Sequence, residues 1–200
     1  MRSRAIAAAC AIMLVAAPAL AYRLMLRGQP VAVAASGLFV VPAIDWSRTR
    51  SPPGLHAESW TLDGISLNDV TFFGGILDRQ AMFREVDRRN RPLPRFSASM
   101  LPTDVVQLFE NSFRIVGDTS LFTVTGVSPA SFAGRRGFRF AYSFVRRDEE
   151  VRRLGEGTGA VIDGRLYLMV FEAPAIHYFE RDLGTYRALV ETARVGVGAS

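Results

Sequence analysis

From Phe138 to Phe144 every second residue carries an aromatic ring, with Arg139, Ala141 and Ser143 between Phe138, Phe140, Tyr142 and Phe144. A period of two is that of a strand, and it places four rings on one face. In Leu166-Tyr167-Leu168-Met169-Val170-Phe171 both alternating sets are apolar, as in an interior strand covered on both sides. Asp163-Gly164 separates Arg165–Phe171 from Gly159–Ile162, a dipeptide diagnostic of a two-residue hairpin turn, and Pro174 ends the second arm. Leu121 to Val127 also alternates. Upstream, Ser59 to Gly64 reads as a strand ending in an Asp-Gly turn, and Leu67 to Phe73 as its partner, closing at Gly74-Gly75.

Two segments carry the longer period of a helix. Pro102-Thr103-Asp104 supplies a start with a capping side chain, after which Val105, Leu108, Phe109, Ser112, Phe113 and Val116 line one face before Gly117. A last helix is expected from Asp182, its cap, with Leu183, Tyr186, Leu189, Val190 and Ala193 on its apolar stripe, fraying at Gly196. Arg88 to Arg95 has neither period and contains two prolines, so it is expected to be an exposed loop. Residues 22–54 mix the patch Gly37–Val41 with four prolines and read as a tether with at most one short strand. Antiparallel strands with a helix inserted midway and another at the end predict a single α+β domain over residues 55–196, its helices packed on the sheet, followed by a disordered tail over 197–200.

This order of elements resembles the Mog1/PsbP-like group, α/β/α sandwiches built on an antiparallel β-sheet. The resemblance rests on Gly137-Phe138-Arg139-Phe140-Ala141-Tyr142, on Asp163 through Pro174 and on the terminal helix through Arg194. The chain is also similar to small envelope proteins of Gram-negative bacteria, some of them lipoproteins. The resemblance implies a non-catalytic protein that binds or helps assemble a larger complex, and it carries no catalytic residues over to this chain.

The N-terminus adds an address. Arg2 and Arg4 precede an uncharged run from Ala5 to Ala21 that ends in Ala19-Leu20-Ala21, the plan of a signal peptide over residues 1–21 cleaved before Tyr22. Ala7-Ala8-Ala9-Cys10 offers lipidation at Cys10 as a second reading, although the strongly apolar run then follows the cysteine instead of preceding it. An uncleaved membrane anchor is the third. All three put the folded part outside the cytoplasm, periplasmic, secreted or held at a membrane. Cys10 is the only cysteine, so a chain cleaved before Tyr22 has no disulfide, thiol nucleophile or thiolate metal site. No lysine occurs, which excludes Schiff-base chemistry and a P-loop lysine. Of the 24 basic residues two lie in the signal, leaving 22 against 19 acidic ones and a net charge near +3. Such a mild excess argues for no nucleic-acid partner and leaves room for weak contact with anionic lipid.

Candidate chemistry is sparse. Glu172, His177, Tyr178, Glu180, Arg181 and Asp182 crowd the junction between the interior strand and the last helix. His177 with Glu172 or Glu180 could act as a general base or half a metal site, the basis of a rival reading as a hydrolase or metal-dependent enzyme. Helix capping and solvation account for the same residues without chemistry. No nucleophile-elbow or zinc-binding signature accompanies them, and no cofactor is expected. Arg84, Arg88, Arg89, Arg91 and Arg95 are offset by Glu85 and Asp87 alone; they form a candidate basic contact surface for an acidic envelope protein or anionic headgroups. The segment Arg146 to Arg153 reads as a solvated hairpin loop, and the four rings from Phe138 as core more than as a ligand pocket.

Overall fold

The computed structural model describes residues 23–147 and 149–196. In chain order the elements are β1 (Arg23–Met25), β2 (Val31–Val33), β3 (Leu38–Val40), β4 (Trp46–Arg48), β5 (Ala57–Thr61), β6 (Asp69–Ile76), α1 (Pro102–Val116), β7 (Thr119–Phe132), β8 (Arg135–Arg146), β9 (Arg153–Ile162), β10 (Arg165–Pro174), α2 (Tyr178–Glu191) and β11 (Arg194–Val195). Eight strands form one antiparallel sheet in the order β1-β4-β5-β6-β10-β9-β8-β7, and β11-β3-β2 form a second, small sheet. The architecture is α+β.

Strand β10 lies between β6 and β9 and is buried over Leu166–Ala173. Its alternation divides the interior in two. Leu166, Leu168 and Val170 join Phe73, Ile76, Phe138, Phe140, Tyr142 and Phe144 beneath Val105, Leu108, Phe109 and Phe113 of α1. Tyr167, Met169 and Phe171 join Val70 and Phe72 on the other face, beneath Phe179, Tyr186, Leu189 and Val190 of α2 and Val33, Leu38 and Val40 of the small sheet. Each buried large side chain contributes about 1.5–3 kcal/mol. The expected ring stripe of β8 is thus core: Phe109 sits 5.3 Å from Phe140 and 5.4 Å from Tyr142.

Those rings lie against a strand that the periodicity had placed only over Gly159–Ile162. β9 begins at Arg153, and its register sets Gly155 opposite Tyr142, Gly157 opposite Phe140 and Gly159 opposite Phe138. A Cβ at Gly157 would lie 2.3 Å from Phe140 Cε1, so the strand gives up intrinsic preference to make room for aromatic rings.

Gly74-Gly75 is likewise not the end of a hairpin. β6 runs on to Ile76, and Gly75, at φ +73°, is the extra residue of a bulge where the β10 pairing steps from Tyr167–Gly74 to Leu166–Ile76. Residues 22–54, expected as a tether, contain β1 to β4: β4 pairs with β5, and β2 and β3 lie on the sheet as a hairpin. Buried Glu58 fixes that hairpin, accepting hydrogen bonds from the Ala34 N–H at 2.9 Å and the Trp60 indole at 2.7 Å and pairing with Arg48 at 3.3 Å. Pro129 is accommodated in β7 because this strand is an edge, with β8 its only partner among the described residues.

At its start, α1 follows the sequence reading: Asp104 accepts a hydrogen bond from the Leu101 N–H at 2.9 Å. α2 begins one turn earlier than expected, with His177 and not Asp182 at its cap. Asp182 is inside the helix and buried, bonded by Asn68 and Arg181. That network neutralises the carboxylate and ties the β5–β6 turn to α2, removing the competition with backbone that would have made Asp182 a cap. The Arg187 guanidinium donates twice to buried Glu156, at 2.9 and 2.6 Å, and clamps the helix to β9.

Candidate binding surface

The sheet separates Glu172 from the other two residues proposed for chemistry. Glu172 has the parity of Leu168 and Val170 and faces α1, whereas His177 caps α2 on the opposite side of the sheet. His177 and Glu180 are exposed and Glu172 is buried. The His177 ring meets only Tyr178, edge-on at 5.2 Å, and makes no hydrogen bond among the described residues. Its strained φ of +70° belongs to the sharp turn from β10 into α2. Among the described residues no group of three His, Cys, Asp or Glu side chains is placed to hold a metal ion.

Glu172 belongs instead to an interior polar group that sequence reasoning missed. It stands opposite Asp69 of β6, and both carboxyls are buried. Arg146 reaches Glu172 at 3.3 Å and Arg153 at 3.9 Å; Arg153 also donates to the Ser66 carbonyl at 2.8 Å. Burial pushes the Asp69 carboxyl well above the usual range, and the neighbouring Glu172 charge pushes it further. Burial raises Glu172 as well, against the pull of Arg153 and Arg146. The readable signal was a glutamate extending an interior strand apolar on both faces, which demands a buried cation. So closed a group ties β6, β8, β9 and β10 together.

The candidate arginine surface occupies the long connection from β6 to α1. Buried Met82, Leu93 and Phe96 pin this connection to the α1 side of the sheet. Arg95 is bonded to Glu85 at 2.6 Å, and Glu85 also accepts from the Leu93 N–H. Arg91 donates to the Ile115 carbonyl at 3.4 Å. Arg84, Arg88 and Arg89 are exposed and form no ion pair among the described residues. The folded chain adds three residues that the sequence did not suggest. Arg79, with a left-handed backbone, joins Arg84 and Arg95 around an open groove of about 380 Å³, and Leu55 and His56 form its other wall. The hydrogen bond from the Arg84 N–H to the Pro53 carbonyl, 2.7 Å, holds the two walls together. Leu55, 83% exposed, lines the groove with these guanidiniums, and Val86, 71% exposed, lies between Arg84 and Arg88 in the sequence.

The solution structure of cyanobacterial PsbP from Synechocystis sp. PCC 6803 superposes with a TM-score of 0.54 at 13% identity, over 94% of this chain and 98% of that one. The fold is Mog1/PsbP-like. The Saccharomyces cerevisiae Ran-binding protein Mog1p gives a TM-score of 0.49 at 9% identity, covering 86% and 96% of the two chains. LpqN of Mycobacterium tuberculosis, involved in cell envelope biogenesis, gives 0.35 at 11%, with 84% of each chain covered. No protein-family model and no curated protein sequence matches the chain.

Proposed function

We propose that this Mog1/PsbP-like chain is an exported, non-catalytic binding module of the cell envelope that docks an acidic partner protein on its arginine surface. The observation that carries the reading is the set of exposed guanidiniums of Arg84, Arg88 and Arg89, without an ion pair among the described residues, with Arg84 lining the groove that Leu55 walls. Charges left unpaired around an exposed aliphatic side chain are suited to a partner that supplies carboxylates at the rim and an apolar contact at the centre. The export half of the proposal rests on residues 1–21, which lie outside the described residues.

A photo-crosslinker at position 88 tests the docking half in intact cells. It should capture one reproducible partner, and Arg84→Gln with Arg89→Gln should abolish capture; equal capture from position 183 on α2 would refute it. N-terminal sequencing of the native protein tests export: a start at Tyr22 supports cleavage, and a cytosolic chain starting at Met1 opposes it. A second reading, contact of the same face with anionic lipid, is favoured by the exposure of Leu55 and Val86. It predicts vesicle co-sedimentation that needs anionic lipid and weakens with salt.

A further inference from the structure

At the end of the main sheet, on the face covered by the small sheet, a cleft of about 430 Å³ is walled by the turns of three hairpins. Ala133-Gly134 and Asp163-Gly164 are two-residue turns with positive φ at both positions, between Phe132 and Arg135 and between Ile162 and Arg165. This geometry makes Arg135 and Arg165 the first residues of their return strands. Extending the Phe138–Gly159 register to the tip sets Arg135 level with Ile162, which pairs with Arg165. The three residues form a row pointing one way. Two strand spacings, about 10 Å, separate the arginine backbones, a gap that two long guanidinium side chains can close on one anion.

Neither Arg135 nor Arg165 makes an ion pair or hydrogen bond among the described residues, and the same holds for the Tyr167 hydroxyl and the His56 imidazole, which also line the cleft. Small residues shape the space: Ala35, Ser36 and Gly37 on one wall, Gly74 and Gly75 on another. Ala35 and Ala133 hold left-handed backbones, φ +46° and +49°, where glycine or asparagine is usual. Strain of this kind concentrates at binding sites. Asp163 is the one acidic group in the lining; it leaves the two arginines in excess and offers an acceptor for a hydroxyl.

We propose that this cleft binds the phosphate group of a phosphomonoester carried on a polyol. Two guanidinium forks match a tetrahedral phosphate, which has oxygens for both, better than a carboxylate that a single fork saturates. The Tyr167 hydroxyl supplies a further donor, and the Asp163 carboxylate accepts from the polyol.

Amide-resolved NMR titration of the purified protein with inorganic phosphate and with glycerol 3-phosphate is the test. Shifts at Ser36, Gly75 and Gly164 should saturate, more tightly for the ester. Arg135→Gln and Arg165→Gln should each weaken binding about tenfold or more, while Arg84→Gln, on the docking surface, should leave it unchanged; this separates the cleft from the proposed function. Both replaced side chains are exposed, and an unchanged unfolding midpoint verifies that the variants fold. Vesicles containing phosphatidic acid, set against phosphatidylcholine vesicles, identify the source. Retention lost in the Arg135 and Arg165 variants places the phosphate on a lipid, and saturation by the soluble ester without retention places it on a free metabolite. Absence of saturation and retention alike, or binding that ignores both arginine variants, overturns the proposal.

Discussion

Replacing Gly157 by alanine should destabilise the protein by about 2 kcal/mol. The added Cβ would fall 2.3 and 2.4 Å from Phe140 Cε1 and Cζ, and that ring cannot easily retreat. Phe109 stands 5.3 Å away, Tyr142 5.8 Å and Phe138 6.3 Å, so the stack has no empty side. So short a contact puts the overfilling cost at the upper end of about 1–3 kcal/mol, against which alanine returns about 0.5–1 kcal/mol of backbone entropy, leaving about 2 kcal/mol. With a urea m-value of about 2 kcal/mol per M, the unfolding midpoint should drop by about 1 M. Gly184→Ala is the control with the opposite sign: it lies in α2, its Cβ would meet nothing within 4 Å, and it should gain about 0.5–1 kcal/mol. Phe140→Leu costs packing by itself but should recover part of the Gly157→Ala loss in the double mutant, a coupling of about 1 kcal/mol. Wild-type stability in Gly157→Ala, or strict additivity with Phe140→Leu, would refute the claim that the glycines exist for the rings.

Three further outcomes follow from the interior. Because the folded state raises the Asp69 carboxyl, the native protein holds a proton that the unfolded chain releases. The associated stability is therefore whole below about pH 4, the unfolded value, and is lost as pH rises through the raised one; Asp69→Asn should reduce the loss of urea-derived stability as pH rises above about 4. Arg153→Met strands Glu172 without its buried cation and should cost about 3–5 kcal/mol at pH 8, with a smaller loss at pH 5; a pH-independent loss would mean packing alone. Phe109→Ala removes the ring against which Phe83, Phe113, Phe122, Phe140 and Tyr142 all pack and should lose about 3–5 kcal/mol by thermal or urea unfolding.

What the sequence made legible were the elements whose local preference and tertiary role agree. β10 announces itself because both of its faces are apolar, the Asp163-Gly164 turn because only a left-handed pair closes so short a hairpin, and α1 because Pro102 and Asp104 start it and its apolar stripe continues unbroken. β9 was half hidden because its glycines are determined by rings on a neighbouring strand, and nothing local records that demand. Gly74-Gly75 carried the composition of a turn but serves as a bulge, since β10 holds β6 in register past it. Of the strands of residues 23–48 only the patch at β3 could be read, because each is three residues long and is held by Glu58 or by pairing with other segments. For the surface, the arginines of the β6–α1 connection could be read directly, but Leu55, His56 and Arg79 join them only through backbone contacts that the chain makes on folding. His177 and Glu172 are near in sequence yet separated by the sheet, because the parity of β10 sends the glutamate away from the helix that follows.

The small sheet links early and late parts of the chain: β11 pairs with β3, and the Val41 N–H donates to the Thr192 hydroxyl 151 residues away. A ribosome or a secretion pore delivering this polypeptide from its N-terminus would have released almost all of it before the layer over Tyr167 and Met169 could close. Until then one side of the central strands would stay wet and adhesive, so holdase chaperones should engage the nascent chain up to the emergence of residue 195 and let go soon after.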